Sequence, residues 1–577
     1  MKARWSRDNR RAIFLNRRIK RRKKDGTQTA ATSKKTRKQD LSGDQDDLGW
    51  CWSRKTTAST NPEKKQNRGQ RHVPRQTQNP LISAGQGRPG GRPGKIPPGE
   101  PGAASSACRP HERKLNFQNI PFQRQTCSLS FCVTTLPPDG ARLVSDQTRM
   151  CGTCPLLTVQ PSRGLIDEKI AIIVKYLPPY QEVTLHSLHQ SENHDHWEAF
   201  GHYISDAKGT VTVAEDASVG GTYEGIEPMG LLWSMRPVPG SKPGLRLRKK
   251  NVQTPMVVQI SVYNGHLSQG FWEEVALAGS TVERWYMAPG VRRVDITEDG
   301  VRGTLFLPPG PGPFPGVLDM WGSGGGLMEY RSALLASHGF AALALEYFPP
   351  EETMVDIHLP YFEKAFRVLQ EHPLVASKNV ALLGLSLGSS ICLSMAVYSE
   401  DVQPKCCVCV SGTHTCPVKT SFSPVSDFLK NLGRISIDEK NRLIWRDIVL
   451  PIPTDPRVKI DVRKVKCPLL LVNGLDDQSW PTPESAEDIQ QMMEKAGNSH
   501  LLTVLSYPGA GHLIEMPYTP HCHSSTFTVK HSQYVMMLWG GRTKPHADAQ
   551  EHSWGKILEF LQQHLCYVHD PVPLARL

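Results

Sequence analysis

The chain has 577 residues, 38% of them apolar, with 68 Lys plus Arg and 55 Asp plus Glu, enough for two globular cores and too mixed for a wholly disordered polymer. Its charge is divided: residues 1–150 hold 32 basic and 11 acidic side chains, and the rest of the chain holds 36 and 44. The acidic balance of that larger part repels phosphate, so a nucleic-acid interface belongs, if anywhere, to the first 150 residues.

The chain opens with Arg/Lys runs such as Lys20–Lys24, and between positions 85 and 102 it has 12 Gly or Pro in 18 residues. Such a segment buries too little apolar surface to offset its ordering entropy, which predicts a disordered basic extension over residues 1–154. No apolar stretch precedes the first basic run, so no secretory signal is expected. The tandem Gly-Arg-Pro-Gly at Gly87 and Gly91 lacks a three-residue period and is not collagen-like. Cys151 and Cys154 form a single C-x-x-C with no second pair, so no metal site is expected. The spread of the fourteen cysteines, several in apolar runs such as Cys406–Ser411, predicts free thiols in a reducing compartment.

From Pro155 short alternating runs predict a small β-sandwich over residues 155–290: Lys169–Val174, Glu182–Leu188, Val211–Val213, Met256–Val262 and Arg284–Met287. Beyond Ala288-Pro-Gly290 the texture changes, and residues 291–577 read as an α/β domain. Strands expected at Phe314–Met320, Phe340–Tyr347, Val380–Ser386, Cys406–Ser411, Pro468–Asn473 and Leu501–Ser506 alternate with helices at Tyr361–Gln370 and Pro483–Lys495. An amphipathic helix at Trp554–Leu565 closes the chain. The uncharged stretch Val380–Tyr398 is long enough to suggest a membrane span, but Gly384, Ser386, Gly388, Ser389 and Ser390 inside it indicate a strand, a turn and a helix. No membrane span is expected.

Gly384-Leu-Ser-Leu-Gly388 fits G-x-S-x-G between a strand-like and a helix-like run, which places Ser386 on a sharp elbow where flanking Cβ atoms have no room. A serine hydroxyl needs a base to take its proton and an acid to orient that base. In the hydrolase order Ser, acid, His, the candidates are Asp477, with Asp476 as its rival, after the run ending at Asn473, and His512 in the glycine-rich loop after the last strand. All three lie beyond strand C-termini, where ligands bind in open α/β sheets. The oxyanion donors expected are backbone amides of Leu387 and of Gly324 and Gly325 in the loop Trp321–Gly326. That loop also permits a dinucleotide reading with Glu346 as ribose ligand, weakened by Leu327 at the third glycine position.

These residues, together with Glu227–Trp233, Arg302–Pro309, Gly325–Arg331, Cys392–Ala396, Ser506–Glu515 and Trp539-Gly-Gly541, resemble the acyl-CoA thioesterases and bile acid-CoA:amino acid N-acyltransferases over residues 156–570. The resemblance implies an α/β-hydrolase catalytic domain preceded by a small β-sandwich, and it selects Asp477 over Asp476. It implies an acyl-CoA substrate, no cofactor beyond the coenzyme A of that substrate, and hydrolysis through an acyl-serine. A serine oxoester favours water over an amine acceptor, whereas the acyltransferase branch uses cysteine. The alternative on the same scaffold is transfer to glycine or taurine, because Val282–Gly290 and Tyr507–Gly511 are similar to the acyltransferase branch. A nucleic-acid-binding protein with an idle hydrolase fold is the reading from another class; nucleic acid is not the expected partner. Ala575-Arg-Leu577 is similar to the peroxisomal import tripeptide, which implies an import receptor as partner and the peroxisome, with the cytoplasm as alternative, as location. Arg331, just after the glycine loop, is a candidate coenzyme A phosphate ligand, and 413–456 is expected to form a lid.

Overall fold

The computed structural model describes residues 154–566 except 325, 349–354, 420, 424–430 and 531–532. The expected basic extension, Gly325 and the C-terminal tripeptide therefore lie outside the described residues.

The first part of the described chain forms two sheets. One has three strands, Leu156–Gln160, Ala171–Lys175 and Val211–Thr212. The other has six, with Ala278–Trp285, Met256–Asn264, Glu182–Gln190 and His196–Ile204 as its antiparallel centre. Alternate residues of both enter one core: Val159, Ile172 and Val174 from the first, Val183, Leu185, Val258, Ile260 and Val282 from the second. This is the inward-facing periodicity of a sandwich. Of the expected strand Arg284–Met287 only Arg284 and Trp285 are in a strand, the tail of Ala278–Trp285; the small and polar residues Ala278 to Thr281 hide its start.

The second part is built on eight strands: β1 Arg292–Ile296, β2 Arg302–Leu307, β3 Phe314–Met320, β4 Ala341–Glu346, β5 Val375–Leu385, β6 Cys407–Val410, β7 Leu469–Gly474 and β8 Leu502–Tyr507. Their order across the sheet is β1-β2-β4-β3-β5-β6-β7-β8. The pairs β1–β2 and β2–β4 are antiparallel, and the other pairs are parallel. Strand order and direction are those of the α/β-hydrolase fold, as the sequence led us to expect.

Five helices matter here: α1 Tyr330–Ser337, α2 Leu359–Glu371, α3 Leu387–Tyr398, α4 Thr482–Ala496 and α5 Thr543–Leu565. Side chains of the parallel strands alternate between two cores because successive Cβ atoms point to opposite faces. Val317, Leu383, Val408 and Leu470 join α1, α5 and the sandwich in one core, and Leu318, Leu382, Cys407 and Leu469 join α2, α3 and α4 in the other. Both faces are covered, so the strands read as unbroken apolar runs. Cys406, Cys407 and Cys409 are buried free thiols.

The helix foreseen at Trp554–Leu565 begins eleven residues earlier, at Thr543, because its first turns carry polar side chains such as His546 and Gln550 that are themselves buried. Among the described residues no helix is long and apolar enough to cross a membrane. Before α5 an antiparallel hairpin, Ser524–Lys530 with Gln533–Leu538, pairs with the short strand Leu443–Ile444 from the expected lid segment.

Candidate active site

Ser386 sits between β5 and α3 with φ 57° and ψ −121°, a left-handed conformation that costs a non-glycine residue strain. The turn is held from both sides. The Ser386 N–H donates to the Val410 carbonyl of β6 at 2.9 Å. A Cβ on Gly384 would lie 2.3 Å from the Gly388 carbonyl carbon and oxygen, and one on Gly388 would lie 2.2 Å from the Met320 carbonyl oxygen of β3. Both glycines of the motif are therefore required by backbone approach. Leu387 is the first residue of α3, so its N–H has no intrahelical acceptor.

Asp477 follows β7 and is fully buried. Its Oδ1 accepts the N–H groups of Ser479 and Trp480, each at 2.8 Å, and its Oδ2 meets His512 Nδ1 at 2.8 Å. A carboxylate can only accept, so Nδ1 carries the proton and Nε2 keeps its lone pair. The rival Asp476 faces elsewhere: its oxygens accept from Gln478 Nε2 at 2.8 Å and from Gly541 N at 2.9 Å.

His512, after β8, is buried and stacks on Trp539 with ring centroids 5.6 Å apart. Its N–H donates to the Trp539 carbonyl at 2.9 Å. Glycines make that approach possible. Gly540 has φ 79° and a Cβ there would stand 1.9 Å from the Asp476 carbonyl oxygen, while one on Gly541, φ 87°, would stand 2.7 Å from Gly511 N. The Trp539-Gly-Gly541 segment thus ties the acid loop to the base loop. His546 of α5 holds the same loop, since its Nε2 donates to the Leu513 carbonyl at 2.8 Å and its Nδ1 accepts the Gly511 N–H at 3.1 Å. Burial, then the nearby His521, push the His546 pKa down to about 3, so this ring stays neutral and keeps both bonds at physiological pH.

Ser386 and His512 line one cavity of about 920 Å³, mouth included. No hydrogen bond joins the Ser386 hydroxyl to the His512 ring; such pairs are often loose until substrate binds. The walls are largely apolar and include Trp321, Trp445, Trp480 and Trp539. Trp445 and Val449 come from the expected lid segment. Among the described loop glycines Gly322 is nearest the serine, since a Cβ on it would lie 3.0 Å from Ser386 Cβ and 3.5 Å from Oγ. Gly324 also lines the cavity but lies against Arg248.

Three arginines stand differently from sequence reasoning. Arg331 is buried on Asp319, with Nε 2.9 Å from its Oδ1, so it is occupied within the fold and does not face the cavity. Arg246 and Arg248, which were not singled out, do line it. Their only signal in the sequence was the alternation Leu245-Arg-Leu-Arg248, which places every second side chain on one side of an extended chain.

Comparison with known proteins places the chain in a family. Residues 167–298 match the family described as acyl-CoA thioester hydrolase/BAAT N-terminal region, and residues 357–567 match BAAT/acyl-CoA thioester hydrolase C terminal. A peroxisomal succinyl-coenzyme A thioesterase from Mus musculus is 38% identical, with 72% of this chain and 98% of that protein covered. The chain belongs to the acyl-CoA thioester hydrolase/BAAT family. Other members similar to it include acyl-coenzyme A thioesterase 1 from Mus musculus, 36% identical over 71% of this chain and 96% of that protein. An acyl-coenzyme A amino acid N-acyltransferase from the same organism is also 36% identical, over 71% of this chain and 97% of that protein.

Proposed function

We propose that the protein is an acyl-CoA thioester hydrolase acting through an acyl-serine. The observation that carries the reading is the 2.8 Å His512–Asp477 bond beside the strained Ser386 elbow, all three at the C-terminal edge of one sheet, with Ser386 and His512 opening on one apolar cavity and Asp477 buried behind the ring. Ser386 Oγ attacks the thioester carbonyl while His512 Nε2 takes its proton, and Asp477 holds the tautomer and stabilises the imidazolium. The Leu387 amide and an amide of the Gly322–Gly324 stretch bind the oxyanion. Coenzyme A leaves as the thiol, taking the proton from His512, and water activated by the same ring releases the fatty acid. The apolar walls suit an acyl chain, and the thioesterase names of several relatives support the substrate class.

Acyl transfer to an amino acid is the second reading, favoured by the N-acyltransferase among the relatives. Incubation with acyl-CoA and glycine or taurine separates the two. Free acid as the product supports hydrolysis, and a conjugate formed in preference to free acid overturns it. For location, the peroxisome is our reading, supported by the terminal Ala575-Arg-Leu577 and by the relative named peroxisomal. Deleting these three residues should leave a fluorescently tagged protein in the cytosol of cells where the intact chain enters peroxisomes; identical distributions would remove the import-receptor reading.

A further inference from the structure

The basic run that borders the cavity is almost fully paired, and the exception stands inside it. Arg246 is bonded to Glu515 Oε1, and Tyr330 OH donates to Oε2 of the same carboxylate at 3.1 Å, so both oxygens of Glu515 are in use. Lys249 Nζ lies 2.6 Å from Glu192, and Lys250 Nζ lies 2.8 Å from Asn193 Oδ1. Arg248 has no hydrogen bond or ion pair among the described residues. Its guanidinium end, and not only its stem, reaches the catalytic loop: Nη1 and Nη2 stand 3.7 and 3.8 Å from where a Cβ on Gly324 would be. Burial and the like charge of Arg246 disfavour its charged form and pull its pKa down to about 10, yet at neutral pH it keeps the charge.

An unpaired cation in a largely apolar cavity is costly, and the same low dielectric makes any anion it meets bind strongly. A guanidinium matches a carboxylate in a two-pronged geometry that an ammonium lacks. One residue, Ser323, separates Gly324 from Gly322, the glycine against Ser386, so the two glycines lie at most ~7 Å apart along the chain. Ser386 and Arg248 line the same cavity on either side of this short loop segment, so a carboxylate on a molecule whose carbonyl lies at Ser386 has Arg248 within the same enclosure.

We propose that Arg248 is a specificity-determining residue of the cavity, binding a substrate carboxylate carried at the far end of a short acyl chain or on an amino-acid acceptor. This deepens the proposed function and rests on it for the position of the reacting carbonyl.

The test uses the full chain, wild type against Arg248→Gln and Arg248→Lys. In the first arm kcat/KM is measured for succinyl-, glutaryl- and adipoyl-CoA and for the uncharged butyryl-, valeryl- and hexanoyl-CoA. In the second, conjugation to glycine is compared with conjugation to glycinamide. Loss of the cation should lower the preference for the charged partner by tenfold or more in one arm, with partial recovery in Arg248→Lys; the arm affected identifies the source of the carboxylate. Unchanged preference in both arms overturns the proposal. So does an equal weakening of free coenzyme A binding, which would mean the guanidinium holds a phosphate.

Failure of the hydrolase reading is visible separately. If wild type turns over none of these thioesters, the dissociation constants of carboxyalkyl and alkyl thioethers of coenzyme A are measured by calorimetry. Tighter binding of the carboxyalkyl form by wild type, lost in Arg248→Gln, sustains the carboxylate site without any turnover. Equal binding of the two thioethers by wild type overturns it.

Discussion

Replacing Ser386 with alanine is expected to lower kcat for acyl-CoA hydrolysis by about 10,000-fold or more, the loss typical of removing the nucleophile of a triad. The change is otherwise mild. Among the described residues no hydrogen bond engages Ser386 Oγ, and the elbow is held by its backbone and by Gly384 and Gly388. The Cβ that alanine keeps is the atom packed near Gly322. The variant should therefore fold and still bind acyl-CoA. Steady-state turnover and calorimetric binding of a non-hydrolysable analogue measure the two halves of this expectation. A kcat within tenfold of wild type would take the serine out of the mechanism.

For Asp477→Asn the expected fall in kcat is about 1,000- to 10,000-fold, again with the fold retained. The reason lies in how the carboxylate is divided. If the amide oxygen keeps the Oδ1 position it still accepts the Ser479 and Trp480 N–H groups, and the new NH₂ then faces His512 Nδ1. Two donors cannot share that contact, so the ring shifts its proton to Nε2 and ceases to be a base toward Ser386. Asp476→Asn offers the contrast, because Asp476 serves Gln478 and Gly541 and touches no catalytic ring. If Asp476→Asn were the more damaging of the two in turnover assays, the acid would have been misassigned.

The features of this molecule that could be read from its sequence are those in which local pattern and global fold agree. The buried parallel strands are unbroken apolar runs, and Phe314–Met320 was anticipated to the residue. Gly384 and Gly388 announce an elbow because only a missing Cβ fits there. Edge strands were harder: β1, Arg-Arg-Val-Asp-Ile, has one buried residue in five and gives no apolar signal. The hairpin Ser524–Leu538 was missed, although it supplies Phe527 and Met537 to the cavity. Arg331 misled because nearness to the glycine loop in sequence says nothing of Asp319, twelve residues earlier on β3, which holds it. Trp539-Gly-Gly541 was visible as a family motif, but its reason, two loops drawn to within backbone contact, exists only in three dimensions.

Part of the cavity wall, Arg246 and Arg248, comes from a segment outside the hydrolase sheet that contains none of the three proposed catalytic residues. A gene encoding such an enzyme holds reactivity and substrate preference in separate stretches of DNA. A substitution at Arg246 or Arg248 can therefore change what the cavity admits and leave Ser386, Asp477 and His512 untouched.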